Sequence, residues 1–245
     1  MARLLGYSVS ECSDVYVIKE YISNEPVIDM LKTEEQRKAF PATRRIKVMY
    51  EMARALAFLH KGIVVDENTT ITYVHRDIHL ANVFFAEDRT VKLMDCGLSK
   101  LVKDPFTEDS STSPTSSSKI SITTENAKNK FGSPGYICPS YLEGKIPYMP
   151  ACDLYSFGIV MLELLTGCIQ NGNLISMYHE KSLVFDEFDR NAGVGWNHVL
   201  SDLSALALDC VKTEYSERPT TEDVFERLSD VYTRLVLTPT TSPTK

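Results

Sequence analysis

Apolar residues fall along this chain in three kinds of pattern, and each predicts a different element. Two early runs, Ala2–Val9 and Val15–Ile22, read as strands separated by the polar turn Ser10-Glu11-Cys12-Ser13-Asp14. Val15, Val17 and Ile18 have the β-branched character that strands favour. A helical segment follows around Ile28–Lys32. Beyond it, Ile46, Met49, Tyr50, Ala53, Leu56 and Ala57 recur at three- and four-residue steps, which predicts a helix over Thr43–His60 stopped by Lys61-Gly62. Val83–Ala86 and Thr90–Met94 predict two short strands around the turn Glu87-Asp88-Arg89. A hairpin of that kind sets Asn82 and Asp95 side by side. Asp153–Thr166 is apolar nearly all round, with Glu163 the single charge after Asp153 and Gly167 at its end, and predicts a helix in the middle of a domain. Leu200–Val211 and Glu222–Leu235 are further helices, the last preceded by the capping pair Thr220 and Asp223.

Two stretches break these patterns. Lys103–Lys130 is Ser/Thr-rich and almost without aromatics, too polar to offset its ordering entropy, and is expected to be a mobile loop. Thr238–Lys245 reads as a polar, Pro-containing, disordered tail. A length of 245 residues suffices for one large domain or two small ones. With 43% hydrophobic and 24% charged residues, the composition is that of an ordinary soluble globular protein. The net charge of −7 argues against nucleic acid or an acidic membrane as main partner. Six cysteines at 12, 96, 138, 152, 168 and 210 form no CxxC pair, so neither a zinc site nor a disulfide framework is expected, and a reducing, cytoplasmic setting is. The N-terminus lacks a signal-peptide plan, and no run approaches the roughly 20 apolar residues that span a bilayer.

Chemistry concentrates on Asp77, Asn82 and Asp95. Asp77 and Asn82 share one loop, and the hairpin returns Asp95 to the same end. One carboxylate and one amide oxygen can share a hard cation such as Mg²⁺, leaving the second carboxylate to accept a hydroxyl proton. Phosphoryl transfer needs these parts, because its transition state mainly demands positioning and charge neutralisation.

His75-Arg76-Asp77-Ile78-His79-Leu80-Ala81-Asn82 resembles the HRDxxxxN catalytic loop of protein kinases, and Asp95-Cys96-Gly97 the DFG metal site. Gly132 to Ser140 looks like the stretch ending in APE, Asp153-Leu154-Tyr155-Ser156-Phe157-Gly158 like the central-helix motif, and Glu217-Arg218-Pro219 like the late Arg motif. Singly, each is as well read as a turn, a helix cap or a solvated charge; it is their joint order that is specific. The wording is most similar to the tyrosine-kinase-like group, in particular receptor-like and Pelle-type Ser/Thr kinases. The resemblance implies an α+β protein-kinase-like fold, with a mainly helical large lobe and a truncated β small lobe. Residues 1–237 would be the kinase domain, 1–22 a remnant of the small lobe and hinge, 23–237 the large lobe, and 95–139 the activation segment.

Carried over residue by residue, the resemblance makes Asp77 the catalytic base, with His79 and Asn82 beside it, and Asn82 and Asp95 the Mg²⁺ ligands. Phe84 would floor the adenine of ATP, and the backbone at Glu20 and Ile22 would bind its edge. His75 and Gly97 belong to the two motifs, Ser133 leans to Ser/Thr specificity, and Asp153 would hold the catalytic-loop backbone from below. Arg76 would pair with phosphate on the activation loop, where Ser110, Ser111, Thr112, Ser113, Thr115, Ser116, Ser117, Ser118, Ser121, Thr123 and Thr124 could accept it from an upstream kinase.

Several positions depart from the family pattern. No glycine-rich loop, strand-three lysine or helix-C glutamate precedes Ala2, so a fragment or truncated gene product is expected, its two remaining strands marginally stable with an unpaired edge. His79 stands where Ser/Thr kinases usually carry Lys, Cys96 where Phe packs, and Lys19 at the gatekeeper position. Ser140 replaces a Glu and leaves Arg218 without its usual partner. Two readings follow: a Ser/Thr protein kinase using Mg-ATP on a protein substrate, or a pseudokinase-like binding module without turnover. Neither calls for nucleic acid or a membrane segment. Either would work in the cytoplasm, as the intracellular part of a receptor if the chain is a piece of one.

Overall fold

The computed structural model describes residues 1–10, 15–66, 69–103, 130–169, 189–193 and 199–237. The turn at 11–14, nearly all of the Ser/Thr-rich stretch and the 238–245 tail lie outside the described residues. The chain opens on an antiparallel hairpin, β1 (Leu4–Val9) with β2 (Val15–Lys19). The second strand stops three residues before the predicted Ile22. Among the described residues these strands pair only with each other, and most of their side chains are exposed, Tyr7 at 72%. The segment expected to be helical around Ile28–Lys32 is a single 3-10 stretch, Val27–Leu31, and a short helix α1 (Glu34–Lys38) follows behind a capping box on Thr33 and Gln36.

Helix α2 (Ala42–His60) buries the predicted stripe of Ile46, Met49, Ala53 and Leu56. Helix α4 (Pro150–Thr166) starts with Pro150 in its first turn, where a missing N–H does no harm, and ends at Gly167 in the left-handed region. Every residue from Cys152 to Thr166 is buried. Between them come the four-residue α3 (Pro139–Leu142) and, beyond α4, α5 (Leu200–Cys210) and α6 (Thr221–Tyr232). The Thr220–Asp223 capping box at the start of α6 forms as predicted.

Helix α6 lies along α2, where Tyr50 stacks on Tyr232 (centroids 4.4 Å apart) and on Phe225 (5.8 Å). Helix α5 lies along α4 at Gly158, where a Cβ would come within 2.7 Å of Val211 Cγ1. On this helical body sit two small sheets. Strands β5 (Val83–Phe85) and β6 (Val91–Leu93) form the predicted hairpin. A three-stranded sheet of order β3-β4-β7 joins Ile63–Asp66, Thr69–Val74 and Lys100–Lys103, and the sequence pattern predicts none of it. Lys103, at the edge of the stretch expected to be mobile, is thus held opposite Ile71.

Candidate active site

Asp153, in the first turn of α4, is fully buried and holds the loop before β5 from beneath. Its Oδ2 accepts from His75 N (2.6 Å), and its Oδ1 from Arg76 N (2.9 Å) and the Tyr148 hydroxyl (2.8 Å). His60 Nε2 lies 2.9 Å from Oδ2, while His60 Nδ1 meets Thr221 Oγ1 at 2.7 Å. Burial opposes the Asp153 charge, but the hydrogen bond and charge of His60 and the backbone N–H of His75 outweigh it and keep the carboxyl below its ordinary range. Arg76 sits between these bonds at φ 74, a left-handed conformation uncommon for a side chain of its size.

Burial also lowers the pKa of His75, so the imidazole is neutral at pH 7. Its Nε2–H then donates to Met94 O (3.1 Å), and Nδ1 accepts from Asp77 N (3.3 Å). One neutral ring therefore fastens the loop to the end of β6.

Four donors converge on the Asp77 side chain. Oδ1 accepts from Ser133 N (3.1 Å) and Ser133 Oγ (2.7 Å), and Oδ2 from Asn82 Nδ2 (3.2 Å), with His79 Nε2 3.4 Å away. Burial alone would raise this carboxyl, but the hydrogen bonds from His79, Ser133 and Asn82 and the charge of His79 lower it to about 2. Asp77 is therefore ionised throughout the physiological range.

Asn82 also donates to Asp77 O (3.0 Å), so its amide protons point at Asp77 and its Oδ1 stays open among the described residues. Met94 N donates to Asn82 O (2.8 Å), and the register Val83↔Leu93 brings Asp95 back beside Asn82. Asp95 is left-handed (φ 50) and exposed. Its Oδ1 accepts from Gly97 N (3.2 Å), which among the described residues leaves Oδ2 open to a cation. An amide oxygen and a carboxylate oxygen fit Mg²⁺, which takes few protein ligands and completes its shell with water and phosphate.

The other predicted residues are more dispersed. Glu20 spends its carboxylate on Arg3 N (2.7 Å) and Lys92 Nζ (3.1 Å), and Arg3 N–H and Lys92 lower its pKa. With Ile22 it lines a cleft of about 310 Å³ against Ala86–Asp88 and Lys92. Phe84, half-buried and bridged to Pro26, does not line that cleft, nor do Asn82 and Asp95. Lys19 is half-buried.

Sequence reasoning missed the reach of the 130–139 segment. Beyond Ser133, Tyr136 packs its ring on His79 (5.6 Å) and donates its hydroxyl to buried Glu163 (2.7 Å). Gly132, at φ 122, passes so near Arg76 O that a Cβ would stand 3.1 Å from it. The Arg76 guanidinium lies over Phe131 (4.6 Å) and Tyr148 (5.5 Å). Arg218 is not stranded by the loss of Glu at 140. It donates to Lys212 O, Ala151 O, Thr213 O and Cys138 Sγ.

The family model of the protein kinase domain matches residues 4–228. The chain belongs to that family. As a kinase domain it is 28% identical to cysteine-rich receptor-like protein kinase 25 of Arabidopsis thaliana, over 91% of this chain and 31% of that protein. A probable leucine-rich repeat receptor-like protein kinase of the same plant is 29% identical, over 98% of this chain and 24% of its own length. U-box domain-containing protein 70 of Oryza sativa subsp. japonica is 32% identical, over 89% and 24%. The kinase domain thus spans about a quarter to a third of the length of these relatives. No helix among its described residues is long and apolar enough to cross a membrane.

Proposed function

We propose that this kinase domain transfers the γ-phosphate of ATP to Ser or Thr hydroxyls of a protein substrate, as a cytoplasmic signalling module of the receptor-like kind. The observation that carries the reading is the Asp77 carboxylate, ionised and fixed by Ser133, Asn82 and His79 at the mouth of the loop. Held at about 2, it is a weak base that orients an incoming hydroxyl and takes its proton late, which suits a reaction governed by positioning.

Asn82 Oδ1 and Asp95 Oδ2 would hold Mg²⁺. The ion, when bound, neutralises charge on the phosphates. His79, beside Asp77, stands where a cation would face the transferred group. Phe84 and the backbone at Glu20 and Ile22 would take the adenine. His75, Arg76 and Asp153 keep the loop in shape, Gly97 donates its N–H to Asp95 Oδ1, and Arg218 fastens the far end of the 130–139 segment. Phosphate from an upstream kinase on the Ser/Thr stretch, which lies outside the described residues, would be read by Arg76.

The test is radiolabelled transfer from Mg-ATP to a generic basic protein, with Asp77→Asn and Asp95→Asn alongside. Transfer that falls by about 100-fold or more in each variant is expected. Incorporation that survives both changes, or none by the unaltered protein, overturns the reading.

A further inference from the structure

Arg218 is only 7% exposed, and no carboxylate among the described residues reaches its guanidinium. Three of its partners are neutral carbonyls: Ala151 O (2.7 Å), Lys212 O (2.8 Å) and Thr213 O (3.4 Å). Its flat face lies over the Tyr155 ring at 5.0 Å, also neutral. A buried cation without an anion is costly, so such cations are normally paired. One atom in this shell can become an anion, Cys138 Sγ, 3.1 Å from Nη1.

That sulfur is fully buried. Arg218 Nη1 reaches it at 3.1 Å, and hydrogen bonding from Cys152 and the Tyr141 backbone favours its charged form. Cys152 Sγ lies 3.9 Å from Pro147 O. A fully buried sulfur 3.1 Å from a guanidinium that no described carboxylate reaches has the surroundings of a thiolate. Ser140, standing where the family carries Glu, instead donates to Thr213 O (3.1 Å). We propose that Cys138 is a structural thiolate, the counter-ion of Arg218, doing two residues earlier what a carboxylate at position 140 does in the family pattern.

The neighbouring titratable groups fit this assignment. The Cys152 hydrogen bond and the Arg218 charge pull Cys138 below the ordinary thiol range against its burial, and Cys152 moves the opposite way and keeps the proton. Burial pushes Tyr155 and Cys210 up to about 12, so both stay neutral. Asp153, ionised nearby, adds to the rise of Cys152. The ion pair ties the end of the 130–139 segment to the start of α4 and to the 212–218 turn. It makes Cys138 a positioning residue, and it holds whether or not the domain transfers phosphate.

Cβ-labelled cysteine NMR on the unaltered protein needs no variant to fold. One of the six cysteines should carry a thiolate shift at pH 7, and the signal lost in Cys138→Ser identifies it. Six protonated thiols at pH 7, or a thiolate that survives that substitution, overturn the proposal. Melting temperature supplies the second arm. Cys138→Ser should melt lower than the unaltered protein, and adding Ser140→Glu should restore part of the loss. Because the folded pKa is depressed, the deficit should be full above the unfolded thiol value, about 8.5, and fade as pH falls through the folded one. A deficit that does not change with pH, or that Ser140→Glu leaves unrelieved, counts against an ion pair.

Discussion

Asp77 shows how a carboxylate keeps its charge while half-buried. Ser133 supplies two of its hydrogen bonds, one from the backbone and one from the hydroxyl. Ser133→Ala removes the second, and a hydrogen bond to a charged group contributes about 1.5–3 kcal/mol. With the backbone N–H still in place, the Asp77 pKa should rise from about 2 by about one pH unit. Carboxylate NMR would read this, and the acid limb of the transfer profile should move up with it. The stability that Asp77 contributes is complete above the ordinary Asp value, about 3.9, and is lost as pH falls through about 2. An unmoved pKa in Ser133→Ala would remove the hydroxyl from the account. Asp77, Asn82 and Asp95 were legible because they stand in contiguous motifs. Ser133 as their neighbour was not, since 56 residues separate it from Asp77 and part of its contribution is an N–H that most residues carry. The Cys138 partner of Arg218 was not legible for a different reason: the family pattern points to a carboxylate there, and the atom is sulfur.

At the scale of elements, two close fits lend themselves to measurement. A Cβ at Gly158 would lie 2.7 Å from Val211 Cγ1 and 2.8 Å from Cys210 Cβ. Gly158→Ala must therefore push α4 and α5 apart, and a loss of about 1–3 kcal/mol is expected in urea unfolding. Any gain in stability would mean that the interface gives way more readily than its distances imply. Thr220→Ala removes the hydroxyl that caps α6 and should cost about 1 kcal/mol by the same measurement. The sequence made α2, α4, α5 and α6 legible because each carries enough turns to show its period. It hid α3, which has four residues, and the β3-β4-β7 sheet, whose third strand joins from beyond the β5–β6 hairpin. Strand β4 is flanked on both sides, so Ile71, Thr72 and Val74 are all buried and the alternation that marks a strand is blurred. Strand β2 stopped short of Ile22 because β1 offers Leu4 as the last partner, opposite Lys19.

The whole molecule responds to a ligand through linkage. Mg-ATP at 100 times its dissociation constant should stabilise the folded protein by about 2.7 kcal/mol. A rise in melting temperature with Mg-ATP, lost in Asp95→Asn, would support the cation site. The same rise in that variant would place the cation elsewhere. Family membership was the most legible fact at this scale, since five motifs in order carry it across residues 4–228. The Asp153 centre has a bearing on how the protein is made. His60, His75, Arg76 and Tyr148, its direct partners, all precede it in the chain, but His60 is steadied by Thr221, which is translated 68 residues after Asp153. On the ribosome the nascent chain therefore holds a charged, half-organised centre until α6 emerges. A translational pause ahead of residue 221 would lengthen that exposure, and chaperone binding to arrested chains should drop once α6 has cleared the exit tunnel.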